Sequence, residues 1–161
     1  MKNVLHTEFT AKANLKNELK IFENNRLRIF RKDQTKFTKS DKIWIYDSEN
    51  RLIILVERTG RLFKDGYKII EQDIHPKIVK ITNNNEIIFE NGIKIKINYA
   101  KIGIFETYGK ILFENKIVGK IAQKHFNFTN TFTLKIEDSV TEYFNLILIS
   151  FLIFENANAN Y

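Results

Sequence analysis

The strongest constraint on the fold is an apolar run close to the C-terminal end of the sequence. Residues Leu146 to Phe154 are apolar at every position except Ser150. A transmembrane helix requires about 20 apolar residues, and this run is roughly half that length, so a membrane span is not expected. Periodicity alone does not distinguish a buried strand from a buried helix in so short a run.

The residues that precede this run favour a helix. Ser139-Val140-Thr141-Glu142 has the pattern of a capping box, in which serine and glutamate side chains satisfy the first backbone amides. Asp138 adds a negative charge at the positive end of the helix dipole. We therefore predict a helix from about residue 140 to 155, about 24 Å long. Its apolar side chains would cover the whole circumference, so the helix must be buried on all sides.

Most of the remaining sequence alternates between apolar and polar residues. The clearest segments are "KIWIY" (42–46), "KIKIN" (94–98) and "TFTLKI" (131–136). This period of two is typical of half-buried strands. In the last segment it predicts that Phe132, Leu134 and Ile136 face inward.

Hairpin turns are predicted where a Phe-Glu-Asn pattern recurs. Three segments start with these residues: "FENNRLRI" (22–29), "FENGIKIKI" (89–97) and "FENKIVGKI" (113–121). A fourth turn of similar kind is predicted in "YDSENRL" (46–52). Asn and Gly tolerate the positive φ of tight hairpins, so Asn91-Gly92 predicts a type I′ turn.

These patterns predict a single domain over residues 1–161, with a string of short strands from residue 18 to 136. Segment 9–20 is ambiguous between helix and loop, and Pro76 suits an edge strand or the start of a strand. A helix that is apolar on all sides needs cover from every direction. The expected fold is mainly β, a closed antiparallel β-barrel of about 12 strands around a buried apolar C-terminal α-helix.

A string of hairpins followed by one apolar C-terminal helix resembles the tubby C-terminal superfamily. The stretch that carries this likeness is "GKILFENKIVGKIAQKHFNFTNTFTLKIEDSVTEYFNLILISFLIF" (109–154), with "KIWIYDSENRLIILVER" (42–58) upstream. Within the superfamily, the chain looks most like the LURP-one-related branch, to which phospholipid scramblases are also similar. The terminal cysteine of tubby proteins and the calcium-binding region of scramblases are missing. A barrel filled by its helix argues against scramblase-like transfer of lipid.

The chain's chemistry does not suggest an enzyme. There is no Cys, so disulfides and thiolate metal sites are excluded. His6, His75 and His125 lie in different candidate strands, and the sequence has no Gly-rich phosphate loop or Gly-x-Ser-x-Gly elbow. We expect no catalytic residue, no cofactor and no metal.

The net charge of +7 lies in the first part of the chain and invites an anionic partner. Residues 1–70 hold 16 Lys/Arg and 9 Asp/Glu, whereas residues 71–161 hold 10 of each. The best candidate site is "ERTGRLFKDGYK" (57–68), where cations surround two glycines between two strands and could clamp phosphates. In tubby domains, a basic segment after a comparable apolar strand binds phosphoinositide headgroups. A second basic group follows the first Phe-Glu-Asn turn and could share the same face. The residues of the two groups are Arg58, Arg61, Lys64 and Lys68, and Arg26, Arg28, Arg31 and Lys32.

Three partners remain open at this point. An anionic phospholipid surface ranks first, with the protein cytoplasmic and peripheral at a membrane. Nucleic acid ranks lower, because Trp44, Phe132 and most other aromatic residues alternate with polar ones and so are expected to face the core. The alternative, from a different class of function, is a protein-interaction or structural domain. An exposed apolar patch or an unpaired edge strand would indicate it.

Overall fold

A computed structural model describes residues 3–14, 18–33, 41–59, 66–102, 106–124 and 131–155. In chain order, the strands are β1 (His6–Ala13), β2 (Glu18–Glu23), β3 (Arg26–Asp33), β4 (Asp41–Asp47), β5 (Leu52–Thr59), β6 (Gly66–Gln72), β7 (Ile78–Ile81), β8 (Glu86–Phe89), β9 (Lys94–Ile102), β10 (Glu106–Phe113), β11 (Lys116–Lys124) and β12 (Thr131–Glu137). A 3₁₀ helix, Asp138–Tyr143, and the α-helix α1 (Phe144–Phe154) follow β12.

The twelve strands form one antiparallel sheet in the order β6-β5-β4-β3-β2-β1-β12-β11-β10-β9-β8-β7. The chain thus makes two six-stranded meanders, which the β1–β12 ladder joins from His6–Glu137 to Lys12–Thr131. The two end strands of the sheet, β6 and β7, are bridged by the Gln72 side chain of β6, which forms the hydrogen bonds that a backbone peptide group would form. It accepts a hydrogen bond from the Ile78 N–H (2.7 Å) and donates one to the Ile78 carbonyl (3.0 Å). The result is a nearly closed barrel, which confirms the predicted twelve-stranded barrel around a C-terminal helix.

The apolar run forms the central helix, as predicted, but the α-helix begins later than expected. Residues 138–143 form a 3₁₀ helix with a non-helical backbone at Val140, and α1 begins only at Phe144. The predicted capping box is wrong. Ser139 Oγ instead donates to Glu137 Oε2 (3.2 Å), and Thr141 Oγ1 donates to the Asp138 carbonyl (2.5 Å). Such local bonds of Ser and Thr compete with a helix N-cap.

The barrel interior is filled by α1 and by the inward faces of the strands. Every residue of α1 except Asn145 is buried. Phe144 packs edge-on against Phe9 with ring centroids 5.4 Å apart, and Phe151 packs against Phe132 at 5.5 Å. Burying a Leu or Phe side chain fully contributes about 1.5–3 kcal/mol, so this helix is the main apolar element of the core. Phe132, Leu134 and Ile136 are buried, as predicted.

The structure confirms the positions of the predicted hairpin turns, but one predicted turn type is wrong. Type I′ turns need positive φ at both central residues. This holds for Asn24 and Asn25 (48° and 62°) and for Glu114 and Asn115 (50° and 64°). At Asn91-Gly92 only Gly92 has positive φ (85°), so the predicted type I′ turn is wrong there. The Phe89 N–H donates to the Ile93 carbonyl (2.9 Å), which leaves a three-residue loop instead. The fourth predicted turn connects β4 to β5.

Segment 9–20 is mostly strand where the structure describes it, because β1 extends to residue 13 and β2 begins at residue 18, with Asn14 in the connection between them. Phe9 and Ala11 face the core from β1, and Leu19 does so from β2. Alanine is a weak apolar signal and a strong helix former, which hid the alternation. Pro76, in a cis peptide bond with His75, lies two residues before the edge strand β7.

Contacts to the helix termini define the two ends of the barrel. At the end where α1 begins, Arg28 donates to Asn145 Oδ1 (3.0 Å); we call this the Phe144 end. At the other end, the Tyr67 ring packs edge-on against Phe154 with centroids 5.9 Å apart; we call this the Phe154 end.

Candidate anion-binding surface

The predicted site around the β5–β6 hairpin does not form one cluster in the described residues. Arg61 and Lys64 lie outside the described residues. Arg58 is directly opposite Tyr67 in the β5–β6 register, and Tyr67 packs against α1. Directly opposite residues project from the same face of a sheet, so Arg58 projects from the inner face. Lys68, the next residue of β6, is exposed on the outer face opposite Glu57.

Arg28 lies at the opposite end of the barrel from this hairpin. It forms an ion pair with Glu23, and its second contact is the amide oxygen of Asn145 in the first turn of α1. The expectation that the second basic group shares a face with Arg58 is therefore wrong for Arg28, because Arg58 lies at the Phe154 end. Arg26 is exposed beside the same β2–β3 turn as Arg28.

Arg31 is buried in the barrel, with only 2 % of its surface exposed. Its guanidinium donates to the carbonyls of Leu152 and Glu155, at the C-terminal end of α1. It also forms a two-point ion pair with Asp33, with Nε 2.8 Å from Oδ1 and a second nitrogen donating to Oδ2 at 3.0 Å. The expectation that Arg31 is a surface ligand for headgroups is therefore wrong. Its positive charge neutralises the partly buried Asp33 carboxylate and the negative end of the helix dipole.

Two further titratable groups face Arg31 at the Phe154 end. Burial raises the pKa of Glu155, and the Tyr99 hydroxyl and the Arg31 guanidinium oppose this shift. Burial, with Glu155 as the next cause, also raises the pKa of Tyr99 well above its ordinary value. These groups form an interior polar cluster that holds the end of the helix, and none of them is presented on the outer wall.

A cavity of about 270 Å³ opens at the Phe144 end, next to Arg28. Its floor is aliphatic and includes Ile29 and Ile149, whereas its rim carries Asp47, Asp73 and His75. Backbone hydrogen bonds from Arg51 and Glu49 and the Arg51 side chain hold the pKa of Asp47 below its ordinary value. With two carboxylates at the rim beside one arginine, this cavity does not provide a basic phosphate clamp.

The clearest basic feature is a row of three lysines on the outer wall of β10, β11 and β12. Lys110 is directly opposite Lys120, and Lys120 is directly opposite Lys135. All three are exposed. Directly opposite residues in a sheet have Cβ atoms about 4.5–5.5 Å apart, and like charges at that spacing destabilise the sheet. We call Lys110, Lys120 and Lys135 the lysine row.

Only the far end of the lysine row has an acidic partner among the described residues. Lys135 Nζ lies 3.9 Å from Glu8 Oε2, the carboxylate of the adjacent strand β1. Within the described part of the chain, Lys110 and Lys120 form no ion pair. On the other side, Lys110 is opposite Asn98 of β9, which carries no charge. The row is therefore a local excess of positive charge, and an anion bound there would relieve its repulsion.

The lysine row is not apparent from the charge distribution of the sequence, because residues 71–161 have no net charge. The signal that could have found it is positional. Lys110, Lys120 and Lys135 each stand between apolar or glycine residues that face inward, so each must face outward. Their alignment across three strands depends on the register.

Other functional features are not apparent in the described residues. In that part of the chain, no three His, Asp or Glu side chains are grouped as a metal site would require. None of its helices is sufficiently long and apolar to span a bilayer. No protein-family model, curated protein or solved structure matches the chain.

Proposed function

We propose that this protein is a non-enzymatic binding module for anionic phospholipid headgroups at a membrane surface, and that the lysine row is its contact. The observation that supports this most is the alignment of Lys110, Lys120 and Lys135 across adjacent strands. A lysine held near an anionic bilayer contributes about 1 kcal/mol, so three contribute about 3 kcal/mol at low salt. The proposal includes membership of the LURP-one-related branch, whose likeness implies a barrel around one helix.

Lysine charge and the neighbouring side chains favour lipid over nucleic acid. Lysine is a compact, hydrated point charge that suits a diffuse anionic surface, whereas arginine suits bidentate phosphate contacts. Proteins that bind single strands add aromatic side chains on which bases stack. Beside Lys110 and Lys120, the outward residues Leu112 and Ile117 are aliphatic, which suits a bilayer interface better than base stacking.

The test is co-sedimentation with phosphatidylcholine vesicles, with and without phosphatidylserine, at low and moderate salt. The test variant is Lys110→Glu/Lys120→Glu. The control, Lys68→Glu/Lys80→Glu, makes the same charge change at exposed positions on the edge strands β6 and β7. We expect the wild type to bind only anionic vesicles and to be released by salt. The test variant should bind at least about 30-fold more weakly, because two contributions of about 1 kcal/mol are lost, and the control should bind almost normally.

Other outcomes assign the function elsewhere. Loss of binding in the control alone would move the site to the edge strands β6 and β7, which carry Lys68 and Lys80. If the wild type ignores vesicles but binds a labelled single-stranded oligonucleotide through Lys110 and Lys120, the partner is nucleic acid and the lipid proposal fails. Circular dichroism of each variant establishes that its fold is intact.

A second candidate function, a protein-interaction domain, is favoured by the sheet edges. In the described residues, β6 and β7 each have a ladder on one side only, and Ile70 and Val79 are exposed on them. Edge strands of this kind accept a strand from a partner. This function gains support if wild-type protein binds no vesicles and a co-purifying protein is lost from an Ile70→Lys/Val79→Lys variant.

A further inference from the structure

An exposed aliphatic side chain lies next to the lysine row. Ile117 of β11 is 50 % exposed although it stands within a paired strand. Its directly opposite residue is Leu112 of β10, which is in turn opposite Lys96 of β9. Leu112 lies two residues from Lys110, so both project from the outer face, about 7 Å apart along the strand. Ile117 and Leu112 thus form an aliphatic pair on the same wall as the lysine row.

A combination of lysines with an exposed aliphatic side chain suits one partner in particular. Lysines attract a protein to an anionic bilayer, and an aliphatic side chain gains free energy when it leaves water for the interface. Phosphates of a nucleic acid or carboxylates of an acidic protein would leave Ile117 in water. Single exposed aliphatic residues are common on protein surfaces, so the significance of Ile117 lies in its position beside three aligned cations.

We infer that the barrel lies on its side against an anionic bilayer, with the outer wall of β9–β12 in contact and Ile117 inserted into the interface. This inference rests on the proposed function and adds an orientation to it. In the twelve-strand order, β11 is six strands from β5, so β5 lies across the barrel. The β5–β6 hairpin therefore leaves from the side of the barrel that faces away from the bilayer.

Site-specific labelling tests this orientation, because the chain contains no cysteine and each introduced cysteine is unique. Ile117→Cys receives an environment-sensitive fluorophore. The matched control is Ile70→Cys, the same residue type at 45 % exposure, five strands away around the barrel. Vesicles of phosphatidylcholine with phosphatidylserine should shift the emission at position 117 to shorter wavelength and increase its intensity. The label at position 70 should not respond.

A second variant measures the contribution of the side chain itself. Ile117→Ser should bind anionic vesicles about five- to tenfold more weakly, as expected for returning a half-exposed aliphatic side chain to water on the bound surface. The salt dependence of its binding should match that of the wild type, because no charge has changed. Lys110→Glu/Lys120→Glu, by contrast, should change both the affinity and the salt dependence.

The possible failures are distinguishable. If labelled protein sediments with anionic vesicles but position 117 does not respond, the orientation is wrong and the proposed function stands. The same holds if positions 70 and 117 respond equally or if Ile117→Ser binds like the wild type. If the wild type does not sediment with anionic vesicles at all, both the proposed function and the orientation are overturned.

Discussion

Replacement of Arg31 by methionine should destabilise the protein strongly, although Arg31 belongs to a basic group in the sequence. The substitution removes the ion pair with Asp33 and the hydrogen bonds to the carbonyls of Leu152 and Glu155. Methionine keeps the apolar stem in the core but leaves the Asp33 carboxylate without its cation. Removing one partner of a buried pair costs about 3–5 kcal/mol. For a chain of this length, that loss lowers Tm by roughly 6–20 °C.

The assay is urea unfolding followed by circular dichroism, with Arg51→Met as the matched control. Arg51 forms a similar ion pair, with Nε 2.8 Å from Asp47 Oδ2, but its side chain is 74 % exposed. An exposed pair of this kind contributes about 0–1 kcal/mol. The double variant Arg31→Met/Asp33→Asn should regain part of the lost stability, because a neutral amide replaces the carboxylate that had lost the Arg31 cation. Arg31 does not stabilise the core in this way if Arg31→Met lowers the free energy of unfolding no more than Arg51→Met does, or if Asp33→Asn restores no stability in the Arg31→Met background.

Two further predictions concern the core. Gly119→Ala should lower the free energy of unfolding by about 1–3 kcal/mol, because the added Cβ would lie 2.8 Å from the Lys135 carbonyl oxygen. Urea unfolding should show a smaller loss for Gly109→Ala, whose added Cβ would lie 3.2 Å from its nearest neighbour. Equal losses for the two variants would contradict the prediction. Burial raises the pKa of Glu155, so its contribution to stability is fully present below the unfolded pKa, near 4.5, and is lost as pH rises through the folded value. Glu155→Gln should therefore increase stability relative to the wild type more at pH 7 than at pH 4, as measured by urea unfolding at both pH values, and the same change at both would contradict the pKa direction.

The fold could be predicted from the sequence because two patterns were strong. Alternation marked strands such as β4, β9 and β12, and a helix apolar on every side required a barrel to cover it. The predicted start of the helix was wrong because Ser139 and Thr141 form local hydrogen bonds that the capping-box spacing does not anticipate. The β1 strand was missed because Ala11 and Ala13 stand where larger apolar residues would mark a strand.

The candidate site was harder to predict because it depends on contacts distant in sequence. In β3, Ile29, Arg31 and Asp33 project from one face, and only the fold reveals that this face is the interior. Cations usually lie on the surface, so the sequence alone predicts an exposed Arg31. The lysine row joins residues on three strands, and its alignment follows from the register of β10, β11 and β12. Neither net charge nor local motifs carry that information.

The two meanders pack around a single helix, and that helix follows the second meander in the chain. The inward faces of β1–β6 carry residues such as Phe9, Ile21 and Ile54, all buried in the folded protein. A chain emerging from the ribosome completes β6 at Gln72, but α1 ends at Phe154, 82 residues later. At about 5–20 residues per second, this delay lasts about 4–16 s. During that interval the first half-barrel is a concave apolar sheet without its core, so we expect nascent chains of this protein to depend on chaperones until α1 emerges.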